Sequence, residues 1–206
     1  MEAWKNYFNV MNEIIAKVMD SQGENIMKAA TLCADVSQRG GLIYGLGAGH
    51  SHLVIEDAFW RAATVANYAA LLEPSVTGTF DITKSYLMEN TYEIGRHIVD
   101  YHRVTPNDCM INSGNNIVPV DAALRAKEKG IPTIAITAVE YSDYLTTKHK
   151  SGRKLKDVCD IVLDNCSLIG DAAVQIEGFP MKIGSTSTIP AVYLQNAVLT
   201  QTVELL

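Results

Sequence analysis

Apolar positions along the chain recur with two different periods, and the way these alternate predicts an α/β protein. Trp4, Phe8, Met11, Ile15 and Val18 fall at helical spacing and form one continuous stripe on a first helix. Ser21 followed by Glu24 is a capping-box pattern, so a second helix is expected from about residue 22, carrying Ile26, Ala29, Ala30 and Cys33 inward until Gly40 and Gly41 stop it. The apolar face of such a helical hairpin is suited equally to covering a sheet and to binding a second subunit.

Leu42, Ile43 and Tyr44 then read as a short buried strand, Gly45, Gly47 and Gly49 as a turn, and the apolar-rich run from Ser51 to about Thr64 as a helix. A second strand is expected within 65–72, ended by Glu73-Pro74, and a Thr-, Ser- and Gly-rich loop over 75–85. Asn90 with Glu93 predicts the start of a helix bearing Ile94, Ile98 and Tyr101. A third strand over 109–112 leads into Ser113-Gly114-Asn115-Asn116 and a helix to Gly130, with Asn116 as N-cap and Pro119 in its first turn. Strands follow at 131–137 and 160–163, with short ones at 172–177 and 181–183, before the run 184–188 opens the last helix. Strand and helix alternating over short links predict a parallel, doubly wound sheet whose ligands bind at the carboxyl ends of the strands.

Composition narrows the partners. The 206 residues, 48% hydrophobic and 19% charged, suffice for a domain with a full core. A net charge of −6 argues against a nucleic-acid or acidic-membrane surface, so any anion must be held by local dipoles and hydroxyls. Neither a signal peptide pattern nor a membrane-spanning run is present in the sequence, which predicts a cytoplasmic protein. Cys33, Cys109, Cys159 and Cys166 lack C-x-x-C spacing and read as structural thiols, and no His cluster has metal spacing. The helical pattern continues to Leu206 without a stop, as in a chain whose tail has been cut or left out.

The candidate chemistry lies in the turns. A strand, a glycine turn and a helix start expose backbone N–H groups at the positive end of the helix dipole, a setting for a phosphate. Histidines at 50 and 52 stand where a dinucleotide fingerprint would need glycine, which weakens that reading although Glu73 imitates its acidic residue; a P-loop lacks its Gly-Lys-Ser/Thr. Ser51, the 113–116 turn and the 185–188 turn each sit at a helix start and singly read as caps; together they form a ring of hydroxyls and N–H groups for one phosphate. For acid–base work the first helix offers His50, His52 and Glu56. His52 and Glu56 share a helix face, while Asp57 and Arg61 read as a structural pair.

GLGAGHS, INSGNN, AALRAKEKGIPTIAIT and GSTSTI, in this order, resemble the sugar isomerase (SIS) domain family over about residues 5–206. GAGHSHLVIEDAFWRA, KHKSGRKL and GDAAVQIEG resemble a small uncharacterised branch of it, whose members continue some tens of residues further. The resemblance implies a three-layer αβα sandwich with a five-stranded parallel sheet, flavodoxin-like, behind the N-terminal helical hairpin (1–40), in a single domain spanning 1–206. It implies a phosphosugar ligand, no cofactor or metal, and a homodimer or homotetramer. Carried onto this chain, the phosphosugar-binding residues are Gly47, Gly49, Ser51, Asn112, Ser113, Asn116, Ser185, Thr186, Ser187 and Thr188, with Glu56, His50 and His52 left for catalysis. Where SIS phosphoheptose isomerases carry a catalytic Glu and His, this chain holds Arg61 and Gln195. The implied function is an aldose–ketose isomerase of a sugar phosphate. The alternatives are a sugar-phosphate sensor without turnover and a lyase opening an ether on an amino-sugar phosphate. His97, His102 and His149 read as helix-surface or loop residues, and 148–156 as a solvated basic loop.

Overall fold

The computed structural model describes residues 2–59 and 61–206. Five parallel strands form one sheet in the order β2-β1-β3-β4-β5: β1 (Ile43–Gly47), β2 (Tyr68–Ala70), β3 (Cys109–Ser113), β4 (Thr133–Thr137) and β5 (Ile161–Asp164). This is the flavodoxin-like doubly wound order, in which the connections leave β1 in opposite directions and open a crevice between β1 and β3.

Register fixes where that crevice opens. Gly47 pairs with Ser113 and Ser113 with Ile136, so the carboxyl ends of β1, β3 and β4 lie level and the turns after them are neighbours. β3 and β4 are buried on both faces, as a sheet covered on two sides requires.

One layer holds α1 (Ala3–Ser21), α2 (Gly23–Gln38), α3 (His52–Phe59) and α10 (Thr188–Leu205). Their side chains, among them Met11, Ile14, Cys33, Val54, Ile55, Leu194 and Val198, meet Ile43, Ile111, Ile134, Ile136 and Leu163 in one core. α6 (Ile94–Tyr101) and α7 (Ile117–Glu128) cover the other face, packing Ile98, Val99, Val118 and Ala122 on Leu46 and Met110. α9 (Leu155–Val158) closes the far end of this layer against Ala135. Three shorter helices, α4 (Pro74–Thr77), α5 (Ile82–Met88) and α8 (Val139–Tyr144), complete the connections.

Several local expectations are revised. The α1 stripe splits: Met11, Ile14 and Val18 are buried, whereas Trp4 and Phe8 stay more than half exposed, ring edge to ring face. Ser21 ends α1 by hydrogen-bonding the Lys17 carbonyl, so the capping box does not form and Gln22 takes the N-cap position of α2. Two of the three glycines read as a turn, Gly45 and Gly47, lie inside β1; any side chain on Gly45 would collide with the Tyr68 hydroxyl and Ile55. The helix after the turn stops by residue 61, Trp60 lying outside the described residues. The segment 75–85 folds into most of α4 and α5, because Pro74 opens one helix and Asp81 caps the other by accepting from the Lys84 N–H. Glu93, not Asn90, precedes α6, in a left-handed conformation; the Asn90 amide bonds the Tyr86 carbonyl instead. The strands expected at 172–177 and 181–183 reduce to a single antiparallel bridge, Val174 to Ile183.

The basic loop is anchored rather than freely solvated. His149 is buried, its Nε2 lying 2.9 Å from Asp121 Oδ1 and its Nδ1 2.7 Å from Ser151 Oγ, while Asp121 Oδ2 accepts the Glu93 N–H. No helix among the described residues is long and apolar enough to cross a membrane.

Candidate functional site

A cavity of about 220 Å³ opens at the carboxyl ends of the strands, between the turns after β1, β3, β4 and β5. Its wall includes His50, Ser51, Ser113 to Asn116, Thr137, Asn165, Asp171, Ser187 and Thr188. Ligand pockets for drug-sized molecules usually run to about 300–1,000 Å³, so the occupant is small.

The first two turns meet there. Gly49, at φ +54, starts a single 3₁₀ turn over Gly49–Ser51 that runs directly into α3. Gly114, at φ +110, lies so close that a Cβ on it would stand 2.9 Å from Ser51 Oγ. The two helix starts thus aim at one point. Ser113 lines the cavity although it is almost fully buried, and Asn115 is held by the Thr137 hydroxyl at 2.8 Å. Asn116 occupies the N-cap position of α7, yet its side chain does not cap the helix; the Val118 N–H is taken by the Glu89 carbonyl and Pro119 has none, so the Ile117 N–H is the first-turn donor left for an outside acceptor.

The third turn behaves differently. Asp171, itself at φ +52, accepts the Thr186 N–H at 2.8 Å, the Thr186 hydroxyl at 3.1 Å, the Ser167 hydroxyl at 3.2 Å and the Ser187 hydroxyl at 3.0 Å. Thr186 is wholly buried among these bonds, and Ser185 is exposed with its carbonyl accepting from the Tyr7 hydroxyl. Only Ser187 and Thr188 of the four expected ligands reach the cavity. Donors that looked available for a phosphate are already engaged by a carboxylate.

His50 stands at this junction. Its Nε2 is 3.4 Å from Ser187 Oγ and 3.9 Å from Asp171 Oδ2, and the ring is well exposed at the cavity mouth. A histidine–carboxylate pair therefore does face the cavity, but with Asp171 as its acid. The sequence pointed to Asp171 only as part of GDAAVQIEG; an Asp after a glycine in the loop that follows β5 was the available signal.

His52 and Glu56 lie elsewhere. At about 100° per residue, the α3 face bearing Ser51 and Val54 turns His52 and Glu56 away from the cavity. His52 is buried with Nδ1 2.5 Å from the Gly49 carbonyl, a bond that staples the turn, and its Nε2 is 3.8 Å from Glu56 Oε1. Glu56 borders a separate surface hollow with Leu53, Asp57, Arg61 and Leu72. Neither of the two, expected to be catalytic, lines the cavity. Nor does Asn112: side chains alternate along a strand, so with Ser113 on the cavity side Asn112 faces the α6–α7 layer, fully buried. Gly47 and Gly49 shape the turn without lining the cavity, since any side chain on Gly47 would collide with the Ser51 backbone.

Three other positions are structural. Glu73 accepts the Ser75 N–H as the N-cap of α4, which removes the acidic residue from the dinucleotide reading. Arg61 pairs with Asp57, which also accepts from Asn196. Gln195 is wholly buried, accepting the Tyr68 hydroxyl at 3.0 Å and donating to the Val54 carbonyl; burial raises the Tyr68 hydroxyl far above the usual tyrosine range and keeps it a donor. Among the described residues no lysine or arginine lines the cavity, and no cluster of three His, Cys, Asp or Glu suited to a metal ion occurs.

These features define a flavodoxin-like αβα protein with a small cavity at its topological switch point, walled by hydroxyl and amide groups together with apolar side chains such as Val54, Ile136 and Leu145. The family profile for the SIS domain matches residues 6–138. The chain belongs to the SIS domain family. A UPF0309 protein of Halalkalibacterium halodurans is 33% identical over 99% of this chain and 86% of its own length. A second, from Geobacillus kaustophilus, is 33% identical over 97% of this chain and 81% of its own. Among solved structures, a phosphoheptose isomerase from Francisella tularensis superposes with a TM-score of 0.66 at 15% identity, over 99% of this chain and all of that one. The sugar isomerase domain of an RpiR transcription factor from Sphaerobacter thermophilus gives 0.55 at 18% identity, over 98% of this chain and 95% of that one. At such identities the likeness shows the fold.

Proposed function

We propose that this chain binds a small phosphorylated sugar and interconverts its aldose and ketose forms. The observation that carries the reading is the convergence of the Ser51 and Gly114 turns, two helix starts joined at the level ends of β1 and β3. The phosphate would take the N–H groups of these turns with the Ser51 and Ser113 hydroxyls, in a site whose described wall holds no lysine or arginine. The sugar then extends toward Ser187, Thr188 and His50. His50, whose Nε2 lies 3.9 Å from Asp171 Oδ2, moves a proton on or off the sugar oxygens. The phosphate-binding roles of Thr186 and Ser185 are not retained in this reading.

Support comes from the SIS family membership and from the phosphoheptose isomerases that share the fold. One observation favours a second reading, a sugar-phosphate sensor without turnover: Arg61 and Gln195, which the family resemblance sets at the catalytic positions of phosphoheptose isomerases, have structural roles. The RpiR likeness is compatible with that reading.

The deciding experiment incubates the protein with pentose 5-phosphates and hexose 6-phosphates in heavy water and follows deuterium at C1 and C2. Exchange with isomerisation is expected, and His50→Gln should lower it about a hundredfold, the usual share of a general acid–base residue. Binding without exchange selects the sensor, β-elimination of an ether substrate selects the lyase, and neither binding nor exchange removes the sugar-phosphate reading.

A further inference from the structure

One carboxyl group outside the cavity wall, that of Glu89, approaches the turns that form it. α5 ends at Met88, and Glu89 follows as its C-cap, its N–H bonded to the Ser85 carbonyl at 2.8 Å. The Glu89 carbonyl accepts the Val118 N–H at 3.3 Å, which pins this main chain to the first turn of α7. Its side chain runs to the glycine turn: a Cβ on Gly49 would collide with Glu89 Oε2. The Asn116 side chain, which lines the cavity, is close enough to the same carboxylate to favour its charged form. The carboxyl group therefore lies between the two turns that converge on the cavity.

Its state is unlike that of the other buried acids. Asp108 and Asp121 each accept at least two hydrogen bonds, from backbone N–H groups and from hydroxyl or imidazole groups. Glu89 is 8% exposed, and Oε2 has no hydrogen-bond partner among the described residues. An unpaired buried carboxylate oxygen costs free energy, and such a group calls for an explanation, a bound ligand or a catalytic role among them. Burial raises the Glu89 carboxyl above the ordinary glutamate range, opposed by Asn116 and by Lys148. Lys148 holds its place with Nζ 3.4 Å from Asn90 Oδ1 and over the Tyr86 ring, and its carbonyl accepts the Tyr92 hydroxyl. The loop anchored by His149 thus keeps the α5 end and its carboxylate in place.

We propose that Glu89 touches the bound sugar phosphate and is the carboxylate that moves the proton between its two adjacent carbons. This rests on the sugar-phosphate reading above. In the aldose-to-ketose direction, the Glu89 carboxylate takes the proton on C2, the C1–C2 double bond forms, and the carbonyl oxygen on C1 takes a proton from protonated His50. Glu89 then gives its proton to C1 while the C2 hydroxyl returns a proton to His50, leaving a carbonyl at C2. Both residues end as they began, and no other reactant is consumed. The two transfers come from opposite layers, Glu89 beside the α7 start and His50 beside the α10 start, which suits a planar enediol held between them. Glycine at 49 is then a requirement of the carboxylate's position as well as of the turn.

The test compares wild type, Glu89→Gln and Glu89→Asp. The probes are arabinose 5-phosphate, ribose 5-phosphate, glucose 6-phosphate and fructose 6-phosphate, with dissociation constants read by calorimetry and exchange at C1 and C2 read in heavy water. Wild type is expected to bind and exchange at least one of them. Glu89→Gln should hold that ligand within about threefold and lose exchange by about a hundredfold or more, with Glu89→Asp between the two. Exchange by Glu89→Gln, or by Glu89→Asp if the glutamine variant does not fold, within threefold of wild type overturns the Glu89 assignment and leaves the isomerase reading standing. Binding without exchange by wild type overturns Glu89 as a proton carrier, and absence of binding overturns both readings. A ligand-bound structure with every sugar atom far from Glu89 Oε2 overturns the contact independently of any variant.

Discussion

Gly114→Ala separates the anion site from the fold that carries it. Alanine at φ +110 is forced into a region that L residues rarely adopt, at a cost of about 1–3 kcal/mol. Its methyl group would also stand 2.9 Å from Ser51 Oγ and 3.3 Å from Ser51 Cβ, tighter than ordinary contact. The easiest relief is for the serine hydroxyl to swing away, since the 3₁₀ turn behind it is stapled by His52. For a chain of this length each kcal/mol lowers Tm by about 2–4 °C, so a fall of about 2–12 °C is expected. A hydrogen bond to a charged group contributes about 1.5–3 kcal/mol, and its loss weakens sugar-phosphate binding by about 10- to 150-fold. Calorimetric titration and a thermal melt read the two effects separately. Ser51→Ala should reproduce the binding loss with little change in Tm, and adding Gly114→Ala to it should weaken binding much less than in the wild-type background, because both remove the same contact. Wild-type affinity in Gly114→Ala, or full additivity in the double variant, would show that the two turns do not share one anion.

Asp121→Ala should leave the His149 ring and the Glu93 N–H buried without their acceptor, a loss of about 2–6 kcal/mol that lowers Tm by at least about 5 °C; pairing it with His149→Ala should cost less than the sum, and independent effects in a double-mutant cycle would refute the coupling. Trp4 and Phe8, stacked edge to face on the outer side of α1, are expected to close against a second copy of the chain; light scattering at micromolar concentration should give a dimer or tetramer that Trp4→Ala with Phe8→Ala dissociates, and a wild-type monomer refutes it.

The order of strands and the turns after them were legible because hydrophobic runs broken by Gly, Asn and Ser carry strong local signals. Cys109 to Ser113 and Thr133 to Thr137 fall within two residues of expectation, Ile43 to Gly47 runs three residues past its expected end, and Ser51, Ser113 and Asn116 were named from their places at helix starts. What the sequence could not supply is rotation about a helix and the fate of a polar side chain. Glu56 was chosen for its closeness along the helix axis, yet about 100° per residue decides that it misses the cavity. Thr186 and Ser185 share the composition of a phosphate turn, but an acid well upstream in sequence, Asp171, claims that turn's donors, and a long-range carboxylate leaves no local pattern. Glu89 was hidden for another reason. It ends a seven-residue helix in a stretch whose Thr, Ser and Gly content reads as loop, and its importance lies in an oxygen that lacks a partner.

The strand order explains why such groups meet at all. Because the connections from β1 leave toward opposite edges of the sheet, the crevice between β1 and β3 is where chain from both layers reaches the same strand ends. The turn after β1 supplies His50 and Ser51, the turn after β3 supplies Ser113 to Asn116, the loop after β5 supplies Asp171, and the connection after β2 brings the proposed carboxylate, Glu89, up to Gly49. Two carboxylates beside a phosphate site would repel the ligand if each kept its full charge in the open. Here Asp171 is spread over four hydrogen bonds from the groups around the third turn, and Glu89 is pushed by burial toward its neutral form. On the proposed reading the site would hold an anion on N–H and hydroxyl groups, with no arginine or lysine in its described wall, and Glu89 would be the acid that reaches the sugar. A lysine introduced at the mouth would tighten the phosphate but also stabilise the Glu89 carboxylate, so tighter binding and proton transfer pull in opposite directions at this position.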